Sequence, residues 1–139
     1  MGVVWLLDCN LDNINSLSSL ALAFVGDAVF NLFVRTKLVG NGKKVKDLHN
    51  DCVKFVKASS QAKIIRKIEG YLTEKEKTVF KTARNAKVNT VPKTADITDY
   101  HYSTGYEALL GYLYLTGQND RLNKILLASY ELIRSGELL

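Results

Sequence analysis

Two acidic residues stand inside otherwise apolar stretches and are the first candidates for chemistry. Asp27 lies in the segment 16–38, with Ala23 one helical turn before it and Asn31 one turn after it. A carboxylate inside a buried helix loses its hydration, so it needs a cation, a metal ion or several hydrogen-bond donors. Small neighbours such as Gly26 would let another helix or a ligand approach closely. A buried aspartate that nearby hydroxyl or amide groups satisfy is the alternative interpretation.

The second acidic residue, Glu107, lies in the segment 100–115, with Ser103 one turn before it and Gly111 one turn after it. If the two helices face each other, the pair could hold a hard divalent cation, because Mg²⁺ takes oxygen ligands and keeps several waters. The spacing alone does not establish that the helices meet. His49 lacks an acidic neighbour at a helical step, and isolated histidines are more often surface or capping residues than catalytic bases.

The elements that must position these carboxylates are predicted to be helices. The sequence has a single proline and few turn clusters, which favours an all-α fold. The helices are predicted over about 17–39, 45–58, 61–69, 74–86, 99–115 and 120–134, with a loop at 87–98. Asn15 or Ser16 would cap the first helix and Thr73 the fourth, where Glu76 completes a capping box. In the first helix, a set of apolar residues recurs at steps of three and four and predicts the buried face. These are Leu17, Leu20, Phe24, Ala28, Leu32 and Phe33.

Length and composition bound the class of protein. The 139 residues, 47% hydrophobic and 24% charged, predict one soluble globular domain over 1–139. Asp27 interrupts the longest apolar run, so we expect no membrane span. The first residues carry no basic group ahead of an apolar patch, so they do not resemble a signal peptide, and a cytoplasmic location is expected. Cys9 and Cys52 lack metal-binding spacing and are expected to be reduced thiols.

The basic residues are unevenly distributed. Nineteen Lys and Arg against fourteen Asp and Glu give a net charge of +5, which permits an anionic partner without requiring one. They concentrate between Lys43 and Lys93, whereas the segment 100–115 has none. The positive surface is therefore predicted to come from the middle of the chain, with an ordinary solvated face as the alternative.

Two motifs carry a family resemblance. FVGDAV at 24–29 resembles the signature helix of the ribonuclease III family, and YEALLGYLYL at 106–115 resembles that family's second motif. DLH (47–49), SQA (60–62), RNAK (84–87) and TVPKTADI (90–97) lie between them in order. The whole set resembles the Mini-ribonuclease III branch, short bacterial members that consist of a nuclease domain without a double-stranded-RNA-binding domain.

The resemblance implies a homodimeric endoribonuclease that cuts both strands of duplex RNA with Mg²⁺. Asp27 and Glu107 would be the metal ligands and the catalytic residues. Longer family members carry further acidic residues at the positions of Ala23 and Thr104, and the short branch lacks both of them. The implied substrate is a structured precursor of large-subunit (23S) ribosomal RNA.

Duplex RNA is recognised through its phosphates and 2′-hydroxyls, so its protein surface should be basic and polar. The candidates at the end of the fourth helix and in the following loop are Arg84, Asn85, Lys87, Lys93 and Thr94. The apolar flank of the first helix and the tyrosine-rich fifth helix are predicted to form the dimer interface. A catalytically silent RNA-binding or ribosome-associated module on the same fold is the alternative, and the two carboxylates argue against it.

Overall fold

The computed structural model describes residues 13–88, 90–93 and 96–136, and this part of the chain is helical without a β-strand. The helices are α1 (Ser19–Leu38), α2 (Val45–Val56), α3 (Ala58–Ile68), α4 (Glu74–Arg84), α5 (Ile97–Leu115) and α6 (Asn119–Arg134). Short 3-10 turns cover Ile14–Ser16, Val39–Asn41 and Glu69–Tyr71. The predicted all-α fold is confirmed. The single domain over 1–139 stays a prediction.

The start of α1 differs from the prediction by a few residues. The Ser18 side chain accepts a hydrogen bond from the Ala21 amide at 3.1 Å and is the N-cap. The prediction that Asn15 or Ser16 caps the helix is wrong, because Ile14–Ser16 forms a separate turn before it. At the other end of α1, Gly42 has a φ of +67°, a conformation that favours glycine, and it completes the predicted turn.

The start of α4 matches the predicted capping box and is joined to α6. The Glu76 amide donates to Thr73 Oγ1 at 3.2 Å, and the Thr73 amide donates to Glu76 Oε1 at 2.9 Å. The guanidinium of Arg121 also donates to both Glu76 oxygens, at 2.8 and 2.9 Å. Burial raises the pKa of Glu76, but the hydrogen bonds from Arg121 and Thr73 outweigh burial and leave this pKa below its ordinary value.

The core is built around α5, which packs against α1, α3 and α4. Tyr106 on α5 is fully buried, meets the ring of Phe30 edge-on at 5.4 Å and donates its hydroxyl proton to Ser129 Oγ at 2.7 Å. Tyr106 is therefore a core residue, because its ring and its hydroxyl are both used inside the chain. The dimer interface expected for this tyrosine-rich helix stays a prediction.

The predicted buried face of α1 is wrong. Leu20, Phe24, Ala28 and Leu32 are exposed, Phe24 by 82%, while Leu17 and Phe33 are half-buried. The residues that face the core are Leu22, Ala23, Gly26, Val29, Phe30, Val34 and Leu38. Apolar residues occur on both sides of α1, so spacing at three and four fits either side. The close approach of another helix at Gly26 selects the side that is buried.

The expectation about membrane spans needs a qualification. By length and composition α1 could cross a membrane, since an 18-residue window has a mean hydropathy of 1.4 despite Asp27. Apolar core helices of soluble proteins meet the same criterion, and a third of this window is buried inside the protein. The absence of a membrane partner stays a prediction.

Candidate active site

The site is positioned by a close crossing of α1 over α5. A Cβ atom added to Gly26 would lie 1.6 Å from the Glu107 carbonyl oxygen, and one added to Gly111 would lie 2.0 Å from the Leu22 carbonyl oxygen. Both positions require glycine because main chain touches main chain there. Asp27, directly after Gly26, is thereby brought next to Glu107. The question that sequence spacing left open, whether the two helices meet, is answered.

Both carboxylates line an open cleft of about 460 Å³. The other lining residues are Leu20, Ala23, Phe24, Val88, Tyr100 and Thr104. Asp27 is exposed, whereas Glu107 is half-buried. Ala23 and Thr104 are the positions at which the longer members of the resembled family would carry acidic residues. These two positions therefore belong to the same cleft as Asp27 and Glu107.

The electrostatics of the cleft are those of two carboxyl groups in contact. Burial, followed by the hydrogen bond to Asp27 and the charge of Asp27, raises the pKa of Glu107 to about 9. Each group also has one amide donor. Asn31 Nδ2 donates to Asp27 Oδ1 at 3.1 Å, and Gln61 Nε2 lies 3.4 Å from Glu107 Oε2. The metal-free site is therefore poor in positive charge.

These groups suit a hard divalent cation. A cation between Asp27 and Glu107 would relieve the repulsion and the burial that hold a proton on Glu107. Within the described ranges, no cluster of three or more His, Cys, Asp and Glu side chains could hold a metal. Two carboxylates with an open cleft in front of them suit Mg²⁺, which is commonly bound by one or two carboxylates together with waters and substrate phosphate.

The candidate RNA-binding residues follow one another from the end of α4 into the loop beside the cleft. Arg84 is half-buried, with its guanidinium 5.5 Å from the Tyr102 ring centre, and its Nε donates to Asn85 Oδ1 at 3.1 Å. Lys87 is exposed and directly precedes Val88, which lines the cleft. Lys93 is exposed too. Thr94 lies outside the described residues.

Sequence reasoning missed one residue of the site. The SQA motif contains Gln61 on α3 without indicating a role for it, and the structure places its side-chain amide beside Glu107. A signal was available, because Gln61 lies in the buried stripe of α3 formed with Ile64, Ile65 and Ile68. A lone amide in an otherwise apolar stripe must find hydrogen-bond partners inside the protein.

Comparison with known proteins points to one family. The profile described as Ribonuclease III domain matches residues 20–118. Two similar relatives are called Mini-ribonuclease 3. The one from Thermoanaerobacter sp. is 47% identical over 123 residues, 88% of this chain and 87% of the relative. The one from Symbiobacterium thermophilum is 44% identical over 128 residues, 91% and 98% of the two chains.

A solved structure agrees as well. A crystal structure of a protein from Fusobacterium nucleatum matches with a TM-score of 0.80 and 31% identity, covering 91% of this chain and 99% of that one. The fold of this chain is thus shared with that solved structure. The chain belongs to the ribonuclease III family, in its Mini-ribonuclease 3 branch. It is accordingly an endoribonuclease with an RNA substrate.

Proposed function

We propose that this endoribonuclease cleaves double-stranded RNA by Mg²⁺-assisted hydrolysis and leaves 5′-phosphate and 3′-hydroxyl ends. Asp27 and Glu107 are the proposed metal ligands and catalytic residues. The observation that carries the proposal is the contact between these two carboxyl groups at the edge of an open cleft, where burial and Asp27 raise the pKa of Glu107 to about 9. A protein that only bound RNA would be weakened by acidic groups facing phosphate.

Different residues of the site have different roles in the proposed hydrolysis. When bound, Mg²⁺ supplies a water of lowered pKa and compensates charge on the phosphate. Asp27 and Glu107 would hold the ion, which would require Glu107 to lose its proton. Asn31 donates to Asp27 and thereby fixes the direction of that carboxylate. The exposed cleft leaves room for a phosphate beside them.

The proposed duplex-binding surface consists of Arg84, Asn85, Lys87, Lys93 and Thr94. The position of Lys87 beside Val88 supports it, because this places a cation at the edge of the cleft that holds the carboxylates. Phosphate contacts dominate the affinity for duplex RNA and weaken as salt increases. Lys87→Ala should therefore weaken RNA binding. The slope of log affinity against log salt concentration should become smaller by about one, as expected for the loss of one phosphate contact.

A homodimer formed through α1 is part of the proposal. The strip of Leu20, Phe24, Ala28 and Leu32 is exposed, which is costly for an isolated chain. A second copy seated on this strip would cover it and would place two clefts in one particle. Sedimentation of Leu32→Lys tests this, with Tyr71→Lys as the control, because Tyr71 is 82% exposed outside the strip. We expect only the first variant to sediment as a monomer. A dimeric Leu32→Lys would contradict the α1 interface.

The proposed natural substrate is a paired precursor of large-subunit (23S) ribosomal RNA, processed in the cytoplasm. The support is the membership of the Mini-ribonuclease 3 branch, together with the RNA-processing role that the resemblance implies. A transcript that carries the base-paired ends of the precursor should be cut at discrete positions, and the same transcript with one unpaired arm should not be. Equal cutting of both transcripts would contradict this substrate.

One experiment tests the central chemistry. Purified protein is incubated with a long RNA duplex in the presence of Mg²⁺ or of a chelator, beside Asp27→Asn. We expect cutting that requires Mg²⁺ and disappears in the variant. Tight binding by the wild type without cutting, in the presence of Mg²⁺, would instead support the silent RNA-binding module.

A further inference from the structure

We propose that Gln61 is the positioning residue for Glu107, holding its carboxylate in the orientation that the metal ion requires. This inference rests on the proposed function, because it concerns the same ion. Gln61 is 1% exposed, and its Nε2 atom lies between two acceptors, the Val56 carbonyl oxygen at 2.9 Å and Glu107 Oε2 at 3.4 Å. The two N–H bonds of the amide can therefore serve one acceptor each.

The bond to Val56 determines which way the amide faces. Val56 is the last residue of α2, so its carbonyl has no partner within the helix and needs a donor from elsewhere. A rotated Gln61 amide would bring oxygen against that carbonyl oxygen. The helix end therefore keeps the nitrogen of Gln61 directed at both Val56 and Glu107. A donor held in this way restricts rotation of the carboxylate that accepts from it.

The opposite side of the same amide shows that packing alone does not explain Gln61. Its Oε1 atom is buried and has no hydrogen-bond partner. Buried acceptors without partners are rare and unfavourable in folded proteins. The neighbouring Ser60 already serves this helix end, since its Oγ donates to the Lys54 carbonyl oxygen at 2.6 Å. An apolar residue at 61 would avoid the orphaned oxygen, so we attribute the amide to its contact with Glu107.

The residues at 60 and 61 provide a matched pair of variants. Gln61→Met keeps the size of the side chain but loses both the cap on α2 and the contact with Glu107. Ser60→Ala loses a cap on the same helix end and does not touch Glu107. Mg²⁺ binding is measured by isothermal titration calorimetry without RNA, beside the melting temperature in chelator and the rate of duplex cleavage.

We expect Gln61→Met to weaken Mg²⁺ binding by roughly 10- to 100-fold, the usual effect of removing a residue that orients a metal ligand. Ser60→Ala should bind Mg²⁺ within about twofold of wild type, although both variants melt earlier. Gln61→Leu serves as a second apolar replacement and should behave like Gln61→Met.

Several results would overturn the inference. Wild-type Mg²⁺ affinity in Gln61→Met would make Gln61 a helix cap and nothing more. Equal weakening in Ser60→Ala would assign the effect to the α2–α3 junction as a whole. Loss of folded protein in both apolar variants, with Ser60→Ala folded, would make the role of Gln61 structural. A wild-type protein that neither binds Mg²⁺ nor cuts duplex RNA would refute the proposed function itself, a result distinct from the other three.

Discussion

Two glutamates of this chain have opposite surroundings, one inside the fold and one in the candidate site. Glu76 is 3% exposed and receives hydrogen bonds from Arg121 and from the Thr73 amide, so its pKa lies below the ordinary value. Glu107 is half-buried, and burial, followed by the carboxyl group of Asp27, raises its pKa to about 9, while a side-chain amide offsets only part of this rise. The first carboxylate is satisfied within the fold, and the second is left short of positive charge.

The difference teaches where a ligand is needed. A buried carboxylate with an arginine and a helix N-terminus needs nothing further, and removing its partner is costly. A carboxylate placed beside another carboxylate is destabilising until a cation arrives. Burial alone does not distinguish the two, because it acts to raise the pKa of both glutamates. The identity of the first neighbour does.

The largest effect is expected when Glu107, the glutamate of the candidate site, is replaced. Glu107→Gln should lower duplex cleavage by about 10³-fold or more, equivalent to about 4 kcal/mol, because one of the two proposed metal ligands is lost. The same variant should be at least as stable as wild type in chelator, because a buried carboxyl group beside Asp27 is removed. Cleavage rates and melting curves on one preparation test the predicted loss of activity and the predicted stability. A variant that is inactive and also strongly destabilised would contradict the assignment.

The matched change at Glu76 should have the opposite outcome. Glu76→Gln leaves the Arg121 guanidinium without its counter-charge and should lower the free energy of unfolding by about 3 kcal/mol. Cleavage measured well below the melting temperature should stay within about twofold of wild type, because Glu76 does not line the cleft. Urea unfolding and cleavage assays test this prediction. A large loss of cleavage in folded Glu76→Gln would contradict a purely structural role for Glu76.

Variation of pH sharpens the comparison, because the pKa values of the two glutamates are shifted in opposite directions. The raised pKa of Glu107 means that its contribution to metal-free stability is complete below about pH 4.5 and is lost as pH rises toward about 9. The lowered pKa of Glu76 makes its contribution complete above about pH 4.5, and this contribution is lost as the pH falls through the lowered value.

In the proposed site Mg²⁺ has to displace the Glu107 proton, so the apparent affinity for Mg²⁺ should rise by up to about tenfold per pH unit between pH 6 and 9. Calorimetry in buffers of different ionisation enthalpy counts the released proton, which we expect to number about one per ion at pH 7. In Glu107→Gln the pH dependence should flatten. Unchanged pH dependence in that variant would place the titrating proton elsewhere.

The smallest effect concerns the donor to the other carboxylate. Asn31→Ala removes the hydrogen bond from Nδ2 to Asp27 Oδ1 and should weaken Mg²⁺ binding by roughly threefold, less than at Gln61, because Asp27 is exposed. Thr36→Ala is the control, since Thr36 donates only to the Leu32 carbonyl on the same helix. Mg²⁺ titration by calorimetry distinguishes the two. Equal affinities in both variants would show that Asn31 does not orient Asp27.

Sequence pattern was most informative where local rules decide. The capping box at Thr73 and Glu76 needs only neighbouring residues, and it is present as predicted. The two acidic helices carry motifs whose order and separation along the chain are specific enough to indicate the family. The all-α class follows from the scarcity of turn residues, and the helix bounds follow within a few positions.

The remaining features depend on contacts between distant segments. The buried side of α1 could not be read from spacing, because both sides are apolar and only the crossing at Gly26 and Gly111 selects one. The ion pair between Glu76 and Arg121 joins residues 45 positions apart, which no local pattern specifies. Gln61 meets Glu107 across 46 positions for the same reason.

The glycine crossing also has a thermal consequence. The offset between Asp27 and Glu107 is fixed by contact of one main chain with another, and side chains that change rotamer on heating have no part in that contact. The main-chain positions of Asp27 and Glu107 should therefore keep their separation until α1 leaves α5, which requires the core to open. The frame that carries the two side chains should thus survive heating up to global unfolding, so that a loss of activity at lower temperature would come from the side chains or the bound ion and not from the crossing.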